Sequence, residues 1–220
     1  MTEAEWLACD DSYDMLASVP GKGSDRKFRL FAVACCERIW HLIPTEPSRH
    51  CVEVARRLAD GLVKPGERRA PAQAAMGDAG TTAAAACVGA ASAYEAAVRT
   101  ADHATRAVAR ARFPAHRDGW ERELEWLEIK CSECLAQSAL LRDIVGNPFR
   151  SITFFPVWRT DTVVSLARGM YESRDFSAMP ILADALEDAG CGSDDILNHR
   201  RGDGPHVRGC WVVDLVLGKS

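Results

Sequence analysis

The residues best suited to chemistry are four metal-binding side-chain types within the last thirty positions. Cys191, His199, His206 and Cys210 follow one another at C-x7-H-x6-H-x3-C. Thiolate and imidazole are the usual donors to zinc, and four of them can close a tetrahedral shell. The same residues have a second reading: two buried thiols packing as small hydrophobes, and two imidazoles hydrogen-bonded within the fold. In that structural reading His206 pairs with Asp184 or Asp188 and ties the last helix to the Asp175–Ala189 helix. The intervals match no standard zinc module, so spacing leaves both open. On a helix, His206 and Cys210 would share a face at i, i+4. A nucleophile built from Cys210 with His206 or His199 is a third use. Arg208 would then lower the thiol pKa and Asp214 or Asp184 would orient the imidazole.

Other chemical signatures are weak. Cys131 and Cys134 form a C-x2-C, but on a helix rather than a knuckle turn, where core packing is the better reading. Gly21-Lys22-Gly23-Ser24 lacks the spacing of a phosphate loop and has no strand before it. The sequence holds no G-x-G-x-x-G, G-x-S-x-G or H-E-x-x-H, so no catalytic residue is assigned and the reading leans away from an enzyme.

The elements that must position these residues read as helices throughout. Thr2 and Glu5 make a capping box before Trp6. Ser24 opens a helix whose apolar face is Phe28, Phe31, Cys35, Ile39 and Leu42. Thr45 caps another with Val52, Ala55, Leu58, Ala59 and Leu62 on its buried face. Residues 64–80 read as a flexible connection. Thr81 to Arg112 holds fourteen alanines and is the longest helix candidate. Asp118 to Val145 is its antiparallel partner, with Trp120, Leu124, Leu127, Cys131, Cys134 or Leu135, Ser138 and Leu141 on the buried face and Gly146-Asn147-Pro148 as a stop. Short helices follow from Thr160 or Asp161 to Tyr171, over Asp175–Ala189, from Ser193, and after Pro205, where helix is preferred to strand. The expected fold is an all-α, single-domain helical bundle over 1–220, of eight to ten helices, with a long Ala-rich helix hairpin. Its core should include Phe28, Phe31, Ile39, Trp40, Leu58, Trp126, Leu141, Phe149, Leu166, Leu182, Leu186, Trp211 and Leu215.

Composition narrows the function classes. The 220 residues are 47% hydrophobic and 26% charged, with a formal net charge of -4, which gives no basic footprint for nucleic acid. No apolar run reaches the roughly 18 residues of a membrane span, and the acidic N-terminus does not read as a signal peptide. The expected location is the cytoplasm, with the nine cysteines reduced.

Several strings carry a family resemblance: Met1-Thr-Glu-Ala-Glu-Trp-Leu, Ser24-Asp-Arg-Lys-Phe-Arg-Leu-Phe-Ala-Val-Ala-Cys-Cys with Ile39-Trp-His, Gly146-Asn-Pro-Phe-Arg, Leu182-Ala-Asp-Ala-Leu-Glu-Asp-Ala-Gly-Cys191 and His206-Val-Arg-Gly-Cys-Trp-Val-Val-Asp214. On these the chain resembles a paralogue-rich family of uncharacterised bacterial proteins, a domain of unknown function. The likeness spans roughly 1–62 and 139–219 and leaves the alanine-rich middle uncovered. It implies a free-standing bacterial domain and brings no activity or ligand with it. Relatives of this kind often read His-Cys-Arg where this chain has His199-Arg200-Arg201. The first functional expectation is a non-enzymatic protein-interaction module, meeting another protein or a second copy of itself through helix faces. Its alternative is a metal-binding protein or metal-dependent enzyme, with zinc at Cys191, His199, His206 and Cys210.

Overall fold

Helix-start chemistry divides the chain as its capping residues suggest. In α1 (Glu3–Ala8) the Thr2 hydroxyl accepts the Glu5 N–H and the Glu5 carboxylate returns to the Thr2 N–H, a complete capping box. Asp11 caps α2 (Ser12–Ser18), Ser24 caps α3 (Asp25–Arg38) and Thr160 caps α8 (Asp161–Ser173). Thr45 stands before α4 (Glu46–Ala59) without a side-chain cap bond; its hydroxyl donates to Ser48 instead. The computed structural model describes residues 1–64, 67, 72–73, 79–113, 120–201 and 204–219. Among these it has eleven α-helices, two short 3-10 turns and no strand. The all-α expectation holds, with one helix more than the upper bound.

The alanine-rich stretch departs from the expected single helix. It breaks into α5 (Ala79–Gly89) and α6 (Ala93–Arg112). Ser92 starts α6 by accepting the Glu95 N–H, and the Glu95 carboxylate accepts the Ala91 N–H. Two caps at one point favour a break over a continuous helix, even in a run of good helix formers. Ala79 and Gly80, expected in the flexible connection, belong to α5; most of 64–78 lies outside the described residues. α6 then packs on α7 (Trp120–Val145) and on α3. Gln137 on α7 donates to the Ala101 carbonyl and the Thr105 hydroxyl, while Trp126 and Lys130 stand near Ala109 and Phe113, so the pair is antiparallel. The expected start of α7 at Asp118 lies outside the described residues.

The remaining helices are α9 (Met179–Asp188), α10 (Asp194–Arg201) and α11 (Trp211–Leu217). α9 starts later than Asp175 because Pro180 falls in its first turn, where a missing N–H costs nothing. Buried apolar residues form two clusters. The first joins α1 to α6 with Leu140, Leu141 and Ile144 at the end of α7. The second joins α8 to α11 with Trp158 and Cys191. Of the expected core, Phe28, Phe31, Ile39, Leu141, Leu182 and Leu186 are buried, and Trp40, Leu58, Phe149, Leu166, Trp211 and Leu215 are half-buried. Trp126 is the failure. It is exposed, together with Leu124, Leu127 and Leu135, which were expected on the buried face.

Candidate metal centre

The end of α7 is clamped from several sides. Trp6 Nε1 donates to the Gly146 carbonyl at 3.1 Å, and Arg142 donates to the Trp6 and Cys9 carbonyls. Asn147 donates to Glu3 at 2.7 Å and accepts the Phe149 N–H. Lys27 donates to the Ile144 carbonyl and lies 3.6 Å from Asp214, supplying the positive charge that a helix C-terminus favours. Gly146 closes the helix at φ +76° with Trp211 against it.

Asp143 sits in this clamped last turn, 2% exposed. Its Oδ1 is 3.1 Å from His199 Nε2 and 2.9 Å from His206 Nδ1, and its Oδ2 accepts the Val207 N–H at 2.9 Å. His199 Nε2 is also 3.4 Å from Cys210 Sγ. The four donor atoms of Asp143, His199, His206 and Cys210 all lie within 4.8 Å of one another. A tetrahedral zinc ion with ordinary bond lengths holds its donors about 3.3–3.7 Å apart. The three short pairs, at 2.9, 3.1 and 3.4 Å, would open by a few tenths of an ångström to reach that spacing, and pairs near the 4.8 Å limit would close by about an ångström. One carboxylate oxygen faces the donors while the other is fixed by backbone, which is how a ligating carboxylate is held in orientation.

Each donor comes from a different local structure. His199 is on α10, near its C-terminal end, and stacks tilted on Trp211 at 5.1 Å. His206 is in the extended stretch before the final helix, and Cys210 is the N-cap of α11. The expected helical i, i+4 pairing of His206 with Cys210 is therefore wrong. A turn joins them instead, closed by the Cys210 N–H on the Val207 carbonyl, with Gly209 at φ +100°. A methyl group on Gly209 would stand 2.8 Å from Leu30 Cδ1, so position 209 requires glycine in both backbone and space.

The two acidic groups of the site shift in opposite directions. Burial raises the Asp143 pKa, but hydrogen bonds and charge from His199 and His206 outweigh it and hold the carboxyl below its ordinary value. Burial pushes the Cys210 thiol well up and the Asp143 charge adds to this, while the Val213 and Val212 N–H groups at the start of α11 favour the thiolate. His206 Nε2 is buried with no hydrogen-bond partner among the described residues.

Three of the four sequence candidates thus meet. Cys191 is not in the group: it is buried in the second apolar cluster, its N–H closing the end of α9 on the Leu186 carbonyl. Asp143 completes the group and was not singled out in the sequence. His206 reaches Asp143, not Asp184 or Asp188, which are exposed on α9. Cys131 and Cys134 diverge, one exposed and one buried. A cleft of about 260 Å³ borders the group, lined by Trp6, Arg142, Asn147, Asn198, His199 and Trp211 among others. No helix among the described residues is long and apolar enough to cross a membrane. No family model, curated protein or solved structure matches this chain.

Proposed function

We propose that this is a metal-binding helical protein in which Asp143, His199, His206 and Cys210 coordinate one zinc ion. The observation that carries the reading is the convergence of four donors of zinc-compatible type on one buried point. The set mixes thiolate, imidazole and carboxylate, which suits a tetrahedral ion of borderline softness better than calcium or magnesium. Four protein donors leave no open position, so the ion is structural. Asp143 belongs to the element that closes the first core, while Cys210 belongs to the second. The ion therefore fastens one core to the other, and its binding energy adds to folding.

Cobalt replacement tests this. Cobalt-loaded protein should show the intense visible bands of a tetrahedral centre and a sulfur-to-cobalt band in the near ultraviolet. Cys210→Ser should lose the sulfur band first, and His206→Ala should weaken all of them. Weak, octahedral-type spectra unchanged by either substitution would defeat the reading.

The interaction-module reading keeps one specific support. Leu124, Trp126, Leu127 and Leu135 on α7 are 54%, 41%, 51% and 51% exposed. Leu124, Leu127 and Cys131 continue the three-and-four spacing of Cys134, Ser138 and Leu141, which are buried on the same helix. Arg99 and Arg106 are paired with Glu95 and Asp102 within α6, and exposed Glu123, Glu125 and Glu128 on α7 complement exposed Arg112 on α6, so the occupant this reading names is a second copy of the chain. Sedimentation of wild type against Leu124→Glu/Leu127→Glu tests it: a dimer that the double variant dissociates supports it, and a monomer at all concentrations removes it.

A further inference from the structure

Away from the metal centre, residues of α2, α6 and α7 line a cavity of about 490 Å³. That volume falls in the range of small-molecule sites, about 300–1,000 Å³. Its walls are of two kinds. Tyr13, Phe113, Trp126 and Ala109 supply apolar and aromatic surface, and Arg106, Arg110 and Lys130 supply charge. Asp102 also faces the cavity, but Arg106 neutralises it at 3.0 Å. Arg110 and Lys130 have no carboxylate partner among the described residues. The Lys130 ammonium sits between two rings, 5.6 Å from the centre of Tyr13 and 5.9 Å from that of Trp126.

Tyr13 is half-buried, and burial is the main cause that pushes its phenol up to about 12. The hydroxyl is therefore protonated at neutral pH, and it lies in hydrogen-bond contact with the Thr105 side chain. The cavity thus offers two cations with no carboxylate partner among the described residues, and a phenol, beside flat apolar walls. A neutral apolar guest would leave those charges unsatisfied, and a bare inorganic anion would leave the rings uncovered. We propose that this cavity binds a small organic anion, an aromatic ring bearing a carboxylate or phosphate, with the acid group on Lys130 and Arg110 and the ring against Trp126, Phe113 and Tyr13. The site is independent of the metal centre.

Titration calorimetry of the full chain with benzoate, phenyl phosphate, inorganic phosphate and the neutral isostere benzamide tests the proposal. Benzoate or phenyl phosphate should bind saturably at one site. The stronger of the two identifies the acid group, and benzamide and inorganic phosphate should each bind at least about tenfold more weakly, the loss expected when a charge-assisted contact or the ring contact is missing. Arg110→Met should cut affinity about tenfold with the thermal melt unchanged, because Arg110 is exposed, and Lys130→Met, at a half-buried position, should cut it about tenfold with the protein confirmed folded by circular dichroism. Trp126→Leu, also at an exposed position, supplies a second variant that should weaken the ring-bearing probes alone. Equal binding of benzamide and benzoate, affinity unchanged by the charge variants, or no saturable binding of either acid at millimolar concentration would overturn it.

Discussion

Gly209 shows at the residue scale how one position sets the geometry of the candidate centre. It lies between two donors, His206 three residues before it and Cys210 immediately after. Its φ of +100° and its approach to Leu30 leave no room for a side chain. Gly209→Ala should lower stability by about 2 kcal/mol from backbone strain and crowding together, read from the midpoint of urea unfolding. It should also weaken zinc retention, because Cys210 must shift with the turn. A variant that unfolds at the wild-type midpoint would show that the turn is not constrained as described. Asp143 makes the complementary point. An acid in the last turn of a helix opposes the helix dipole, and here it sits among Leu140, Leu141, Ile144 and Val145. That local mismatch is the signal by which the sequence could have revealed it. Real proteins break local rules where function or a specific partner compensates.

At the scale of elements, α7 is one helix with two environments. Its C-terminal half holds Leu141 with no exposure, and its N-terminal half leaves Leu127 half in water. Leu141→Ala should cost about 3 kcal/mol, as for a core leucine that leaves a cavity. Leu127→Ala should change the stability of the monomer by less than about 0.5 kcal/mol. Equal effects in chemical denaturation would mean that the apolar stripe is buried along its whole length. The contrast also shows where helix reading succeeds and fails. Caps and stops were legible: Thr2, Ser24, Thr160, Gly146 and Gly190 act locally, through bonds or φ values that involve only near neighbours. Burial was not. Periodicity identifies an apolar face, but only the position of α3 and α6 decides how far along α7 that face is covered. The break at Ser92 was missed because alanine propensity outweighed a cap whose partner, Glu95, lies three residues on. For the candidate centre, the spacing exposed three donors; the fourth stands fifty-six residues before His199, beyond the reach of any local pattern.

The whole molecule is two apolar clusters joined by polar groups. One junction is the candidate metal centre. The other gathers Arg26 of α3, Asp60 after α4, Tyr171 of α8, Arg208, and Asp214 of α11. Arg26 bonds Asp214 at 2.6 and 3.1 Å, Arg208 bonds Asp60 at 2.7 Å, and the Tyr171 hydroxyl donates to Asp60 at 2.5 Å. Burial raises the Asp60 pKa, but the Tyr171 hydrogen bond and the charges of Arg208 and Arg26 outweigh it, so the folded value lies below the ordinary one. A depressed carboxyl gives stability that is fully present above the unfolded pKa, about 3.9, and that is lost as pH falls through the folded value. Asp60→Asn should therefore be less stable than wild type near neutrality by about 2 kcal/mol, because Arg26 and Arg208 lose a partner. The difference should shrink as pH drops below about 4. A gap that stays constant into strong acid would show that Asp60 is not charged at this junction.

The claim that four donors hold an ion across the two cores is tested most directly by elemental analysis of protein purified without chelator. Wild type should carry about one zinc per chain. Asp143→Asn, His199→Ala and Cys210→Ser, each confirmed folded by circular dichroism, should carry almost none, and Cys191→Ser should retain it, because Cys191 lies outside the group. Wild-type protein that holds no stoichiometric metal, even after incubation with zinc and removal of the excess, would contradict the account, as would zinc that persists in all three donor variants.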